Sequence, residues 1–231
     1  MTGSLPQTLR RVENAAARQH RPVPRLLAVS KLQPASAMLA LADAGQRAFG
    51  ENYVQEAAAK AAALAGRGVE LHLIGHLQSN KAAQAANLFD WVQTVDRPSL
   101  VAALGQHRDP ARTPLNLLIQ VNVDDEPGKA GCLPEQVDAL AAEIASQPRL
   151  VLRGLMAIPT PHPDPEARRP AFRRMKALFD HLAARYPGVD TLSMGMSDDF
   201  EVAIAEGASM VRIGTALFGP RPDKQQREAA V

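Results

Sequence analysis

The chain has 231 residues, 46% of them hydrophobic and 22% charged, a composition that suits one ordinary globular domain. A net charge of +2, with no extended lysine or arginine run, excludes the basic footprint of a nucleic-acid-binding protein. The single cysteine, Cys132, excludes an intrachain disulfide, argues against a thiolate metal centre and points to a reducing, cytoplasmic compartment.

The first residues lack the continuous apolar core of a signal peptide. No apolar run reaches the roughly 18 residues of a membrane span. Leu5, Leu9, Val12 and Ala16 recur at helical spacing, with Ser4 and Gln7 placed for a capping box. They predict an amphipathic helix covering the bottom or side of the fold. Residues 25–30 then read as a strand, and Pro34 opens a helix to Ala44, proline being favoured in a first turn. A strand at 47–50, a helix at 54–64, a strand at 70–75, a helix at 80–87 and a strand at 89–95 follow, before Pro98 opens the next helix. Residues 115–122 are the clearest strand, with the near-continuous apolar character of a parallel strand buried on both faces. Pro134 opens a helix to Gln147, and residues 152–158 form a sixth strand. The helix predicted over 166–184 aligns Phe172, Met175, Phe179 and Leu182. A strand at 191–197, a short helix at 200–206 and an eighth strand at 210–214 complete the pattern. The proline-rich stretch 159–165 reads as a loop, and the polar tail 221–231 as frayed.

Eight strands alternating with helices predict an α/β fold, a single (β/α)8 TIM barrel with an extra N-terminal helix, occupying 1–231 as one domain. An open doubly wound sheet is the alternative. It commonly carries a glycine-rich turn after its first strand, whereas here that turn is Ser30-Lys31-Leu32.

In such a barrel, chemistry belongs at the C-terminal ends of the strands. Those positions gather Lys31, Glu51, Asn52, His76, Gln78, Asp96, Asn122, Pro159, Ser197, Arg212 and Gly214. Lys31 reads either as a lysine snorkelling at a strand end or as a partly desolvated amine suited to Schiff-base chemistry. Gly214 and Thr215 open a tight turn whose N–H groups can bind a phosphate, and barrels often place phosphate at the loops after strands seven and eight. Ser197 offers a hydroxyl there, or caps the helix that follows. Asp198 and Asp199 disfavour an anion in front of that helix, so a phosphate should lean on Gly214 and Thr215. Arg212, inside the last strand, needs an acceptor: a carboxylate within the barrel, or a ligand's ring nitrogen or phosphate. Lys129 and Gly131 read as a solvated loop. Glu51 and Glu56 read as solvent-facing or structural. His72 and His76 share an i, i+4 spacing but lie on a strand, which argues against a metal site. Cys132 has no base near it in sequence. No metal ligand and no catalytic residue is assigned.

Six motifs now stand in order from Leu26 to Gly219: Leu27-Ala-Val-Ser-Lys31, Phe49-Gly-Glu-Asn-Tyr-Val-Gln-Glu56, His72-Leu-Ile-Gly-His-Leu-Gln-Ser-Asn-Lys81, Leu152-Arg-Gly-Leu-Met-Ala-Ile-Pro159, Leu192-Ser-Met-Gly-Met-Ser-Asp-Asp199 and Met210-Val-Arg-Ile-Gly-Thr-Ala216. Together they resemble the pyridoxal phosphate homeostasis protein family, whose barrel is similar to that of alanine racemase and eukaryotic-type ornithine decarboxylase. The resemblance implies pyridoxal 5′-phosphate (PLP) held as a Schiff base on Lys31. It implies that Arg212 faces the pyridine nitrogen, which keeps that nitrogen unprotonated and weakens the ring as an electron sink. Phosphate contacts fall on Ser197, Gly214 and Thr215, and Asn52 matches a position lining the cofactor pocket. Leu71 stands where the family often has tryptophan, and His76 where it often has proline.

What the resemblance implies is a protein that binds PLP and contributes to its intracellular homeostasis and delivery without evident turnover. Weak racemase-like activity stays open. A PLP-dependent racemase or decarboxylase-like enzyme is the first alternative and a class I Schiff-base aldolase the second. Racemase-type relatives add a β-rich domain and a catalytic tyrosine, whereas this chain ends shortly after its eighth strand and neither Tyr53 nor Tyr186 is placed as a second base. The expected partners are PLP and apo-forms of PLP-dependent enzymes, with no nucleic acid or membrane. A monomer is expected, because the relatives' dimer interface belongs with that extra domain.

Overall fold

The computed structural model describes residues 4–219; the tail read as frayed, 221–231, lies outside them. Ser4 caps α1 (Leu5–Arg18), its hydroxyl accepting the Gln7 N–H at 3.4 Å. Leu5, Thr8, Val12, Ala15 and Ala16 are the buried stripe of α1, at the spacing one helix face requires. That stripe packs on α8 (Phe200–Ala205) and α9 (Thr215–Phe218), so α1 covers the side of the fold.

The strands are β1 (Arg25–Val29), β2 (Ala48–Glu51), β3 (Glu70–Leu73), β4 (Trp91–Val95), β5 (Leu115–Gln120), β6 (Leu150–Met156), β7 (Thr191–Ser193) and β8 (Met210–Ile213). Between them run α2 (Ala35–Asp43), α3 (Val54–Leu64), α4 (Ala82–Leu88), α5 (Pro98–His107), α6 (Val137–Ala145) and α7 (Arg169–Arg185). The strands pair in parallel in chain order, and β8 closes on β1 with Leu27 level with Arg212. This closure is the TIM-type α/β barrel and rules out the open doubly wound sheet. The sequence placed the elements well and their ends less so. The helices after Pro134 and Pro165 each begin with a 3-10 turn. The strand predicted over 191–197 stops at Ser193. Gly195 has φ +91°, and a Cβ there would lie 2.6 Å from the Ala203 Cβ, so the chain peels away from the sheet at a position only glycine fits.

Each strand alternates between two interiors, as a period of two demands. Leu26 and Ala28, Leu71 and Leu73, and Val211 and Ile213 face outward into the core beneath the helices. Their neighbours Leu27 and Met210 pack inside the barrel, as do Trp91, Leu118 and Met156. His72, Gln93, Ser193 and Arg212 share this inner register and are all buried. Among the described residues, no helix is long and apolar enough to cross a membrane.

Candidate functional site

Lys31, Ser197, Arg212, Gly214 and Thr215 line one cavity of about 510 Å³ at the C-terminal mouth of the barrel. Lys31 stands two residues past β1, in the turn that leads to α2. Gly214 brings the exit of β8 against that of β1: a Cβ at Gly214 would lie 3.2 Å from the Val29 carbonyl oxygen. Asn52, just after β2, lies outside this lining, and its backbone packs so closely on Gly75 that a Cβ there would sit 2.1 Å from the Asn52 carbonyl oxygen. Ser197 is not the helix cap; Asp199 occupies that position. Asp199 Oδ1 accepts the Met196 N–H at 2.6 Å, a part-buried bond, and Oδ2 pairs with Arg168 at 2.6 Å in a buried one. The Asp199 charge is thereby compensated away from the cavity, leaving Asp198 as the carboxylate on its lining.

Arg212 has neutral partners on both terminal nitrogens. Nη1 donates to Ser193 Oγ and Nη2 to the Ala157 carbonyl, each at 2.8 Å. Among the described residues, no carboxylate comes within ion-pair distance of it, so the acceptor expected inside the barrel is a hydroxyl and a carbonyl instead. Burial lowers its pKa to about 10, which still leaves the guanidinium charged at neutral pH.

From Arg212 a hydrogen-bonded chain runs along the barrel interior. Ser193 Oγ donates to Gln93 Oε1 at 2.8 Å, and the Gln93 amide donates to His72 Nδ1 at 2.9 Å. Because Nδ1 must accept, the His72 proton sits on Nε2, 3.4 Å from Glu70 Oε2. Burial lowers the His72 pKa and keeps the ring neutral; it stacks on Trp91 with ring centroids 5.1 Å apart. Glu70 also pairs with Arg25 at 2.7 Å. The hydrogen bond with His72, aided by Arg25, lowers the Glu70 pKa from 4.5 to about 2 despite partial burial. A carboxyl whose pKa is lower in the folded state stabilises the protein above its unfolded value and loses that contribution as pH falls. Stability is therefore expected to decline between about pH 4.5 and pH 2 partly through Glu70. Urea midpoints measured across that range should fall less steeply in Glu70→Gln. An unchanged slope would show that Glu70 contributes nothing.

The turn carrying Lys31 rests on a second buried cluster. Lys60 Nζ, on α3, donates to Glu51 Oε1 at 2.9 Å, to Glu56 Oε1 at 2.8 Å and to the Ser30 carbonyl at 3.1 Å. Ser30 Oγ donates to Glu51 Oε1 at 2.5 Å, and the Leu32 N–H donates to Glu56 Oε1. Glu51 is fully buried, and its Oε2 has no partner. Burial raises its pKa against the pull of Ser30 and Lys60. Glu51 is thus structural and not solvent-facing. Lys60, Gln93 and Ser193 escaped the sequence reading. Gln93 and Ser193 carried one usable signal: polar residues at inward-facing strand positions.

The remaining candidates do not join the cavity. Lys129 bonds Glu126 at 3.1 Å and Thr160 at 3.4 Å, in the loops after β5 and β6. Burial pushes the Cys132 thiol up to about 12, which removes it as a nucleophile at neutral pH. Among the described residues, no group of His, Cys, Asp and Glu could hold a metal ion.

Comparison with known proteins identifies the family. The family described as alanine racemase, N-terminal domain, matches residues 5–222. The chain is 52% identical over 199 residues to the pyridoxal phosphate homeostasis protein of Escherichia coli strain K12, covering 85% of each. It is 51% identical over 196 residues to that of Pseudomonas aeruginosa PAO1, covering 85% of this chain and 84% of the relative. Among solved structures it is similar to PipY of Synechococcus elongatus PCC7942 with PLP bound, at a TM-score of 0.78 and 37% identity over 89% of this chain and 98% of that one. The chain therefore belongs to the pyridoxal phosphate homeostasis protein family, on the barrel of the alanine racemase N-terminal domain.

Proposed function

We propose that this protein binds PLP at the barrel mouth, attached reversibly to Lys31, and serves its homeostasis and delivery without a catalytic cycle of its own. The observation that carries this reading is the convergence of Lys31, Ser197, Arg212, Gly214 and Thr215 on one cavity. Its volume, about 510 Å³, falls within the ordinary range for cofactor sites. When bound, PLP supplies an aldehyde that condenses with a lysine amine, releasing water, and can be returned by hydrolysis.

Each residue then has a physical task. Lys31 presents the amine. Gly214 allows close approach of the backbone, and Thr215 and Ser197 offer hydroxyls to the phosphate. Arg212 is aimed by Ser193 and Ala157, so its fixed cation can donate to a ring nitrogen and keep a proton off it. A pyridine held unprotonated withdraws electrons weakly, which suits holding over turnover. Asn52 would act at the pocket edge. The same reading takes residues 1–231 as one domain, a monomer in the cytoplasm, with apo-forms of PLP-dependent enzymes as recipients.

The test is direct. Protein loaded with PLP, reduced with borohydride and digested should carry the pyridoxyl phosphate mass on the Lys31 peptide. A preparation that PLP cannot tint, or a mass found only on other lysines, would sink the proposal.

A further inference from the structure

Lys31 lies between two residues that are held with unusual care. The Ser30 N–H donates to the Gly50 carbonyl at 2.9 Å, its carbonyl accepts from Lys60, and its hydroxyl reaches Glu51. Leu32 has φ +63°, a left-handed conformation uncommon for a residue with a side chain. Its N–H is taken by Glu56. The two glutamates meet on one ammonium, that of Lys60, whose side chain is 9% exposed. Both neighbours of Lys31 are thus tied to a single ion cluster made by the end of β2 and one face of α3.

Such a cluster is a poor device for stability alone. Desolvating three charges costs much of what their attraction returns, and apolar residues of similar shape commonly do as well or better. What the cluster does uniquely is fix a strained turn. Backbone held in a sparsely populated conformation persists only where its surroundings over-determine it. Glu56 supplies the acceptor for the strained residue, and Lys60 fixes Glu56 and the Ser30 carbonyl at once.

We propose that Lys60, bridging Glu51 and Glu56, is a positioning residue for Lys31: it locks Ser30 and Leu32 and so fixes where the amine meets the cavity and how long PLP is retained. The proposal rests on the reading of Lys31 as the attachment point. Lys60 touches neither the cavity nor the cofactor and acts through the turn.

The full-length protein, loaded with PLP, provides the test. The variants are Lys60→Met, Lys60→Arg and Glu56→Ala, with three measurements: PLP release rate after dilution, visible circular dichroism of the bound cofactor, and melting temperature of the apo-protein. Release should quicken about tenfold or more in Lys60→Met and Glu56→Ala, the scale on which small misplacements of a reacting group are felt. The dichroic band should weaken in both, because it reports how the cofactor is held, whereas a lowered melting temperature alone would not change it. Lys60→Arg, which keeps the charge, should recover most of the retention. Wild-type release and dichroism in both Lys60→Met and Glu56→Ala would overturn the proposal. Should Lys60→Met fail to fold, Glu56→Ala decides, since Glu56 is 20% exposed and its removal leaves Lys60 paired with Glu51. A wild-type protein that takes no cofactor on Lys31 overturns the proposed function and this inference with it. Normal attachment in wild type with unaltered variants overturns this inference alone.

Discussion

Lys31→Ala is expected to abolish borohydride fixation of PLP and to weaken its binding by about two orders of magnitude, or ~2.7 kcal/mol. The reasoning starts from the turn. Ser30 and Leu32 anchor it through Gly50, Glu51, Glu56 and Lys60, so an alanine between them leaves the backbone in place. The Lys31 side chain is only partly buried, and its truncation should change folding stability by about 1 kcal/mol or less. Ser197, Arg212, Gly214 and Thr215 still line the cavity, so the non-covalent contacts proposed for them with the phosphate and ring should survive. Equilibrium dialysis with PLP, beside a melting curve, separates the two effects. A variant that binds as tightly as wild type would move the attachment elsewhere. The same pair of proteins discriminates carrier from enzyme. Amino-acid racemisation or decarboxylation at a useful rate in wild type, lost in Lys31→Ala, would replace the carrier reading.

The sequence made the barrel legible because its signals are local and repeated. Each apolar run of four to eight residues, followed by an alanine-rich helix, declares one β/α step, and eight steps close a ring. The lining residues were legible for a related reason: in this architecture, being at a strand's C-terminal end is itself a coordinate. Lys31, Arg212 and Gly214 could be placed at the mouth before any distance was known. The buried clusters were not legible. Glu51 and Glu56 read as either solvent-facing or structural, and the choice stayed open because their partner, Lys60, sits in an alanine-rich helix whose facing could not be judged from its weak amphipathic pattern. The Ser197 cap failed similarly. Serine, Asp198 and Asp199 all suit the start of a helix, and the choice among them was made by Arg168, which draws Asp199 inward from 31 residues away. Ion pairs between distant segments leave no periodic trace in a sequence.

Arg212→Ala should weaken PLP binding roughly ten- to a hundredfold, equivalent to losing one charge-assisted hydrogen bond of about 1.5–3 kcal/mol. The direction follows from the barrel interior. Arg212 donates to Ser193, Ser193 to Gln93, Gln93 to His72, and His72 faces Glu70. Every donor in this chain points away from the cavity, with the guanidinium at the cavity end and a carboxylate at the other. Aligned hydrogen bonds polarise one another, so the chain presents a strengthened acceptor to the guanidinium and stabilises the buried cation at the cavity end. Removing the side chain deletes that end and leaves the buried Ala157 carbonyl without its donor, a loss of about 1–3 kcal/mol in stability. Relief of a desolvated charge offsets part of that cost. Binding should therefore suffer more than folding, and the absorption band of bound PLP should shift, because the ring nitrogen exchanges a fixed cation for water. Arg212→Lys keeps a charge but not the fork that satisfies Ser193 and Ala157 together, so it should restore affinity only in part. Unchanged affinity and an unchanged band in Arg212→Ala would make Arg212 a pillar of the barrel with no part in holding the cofactor.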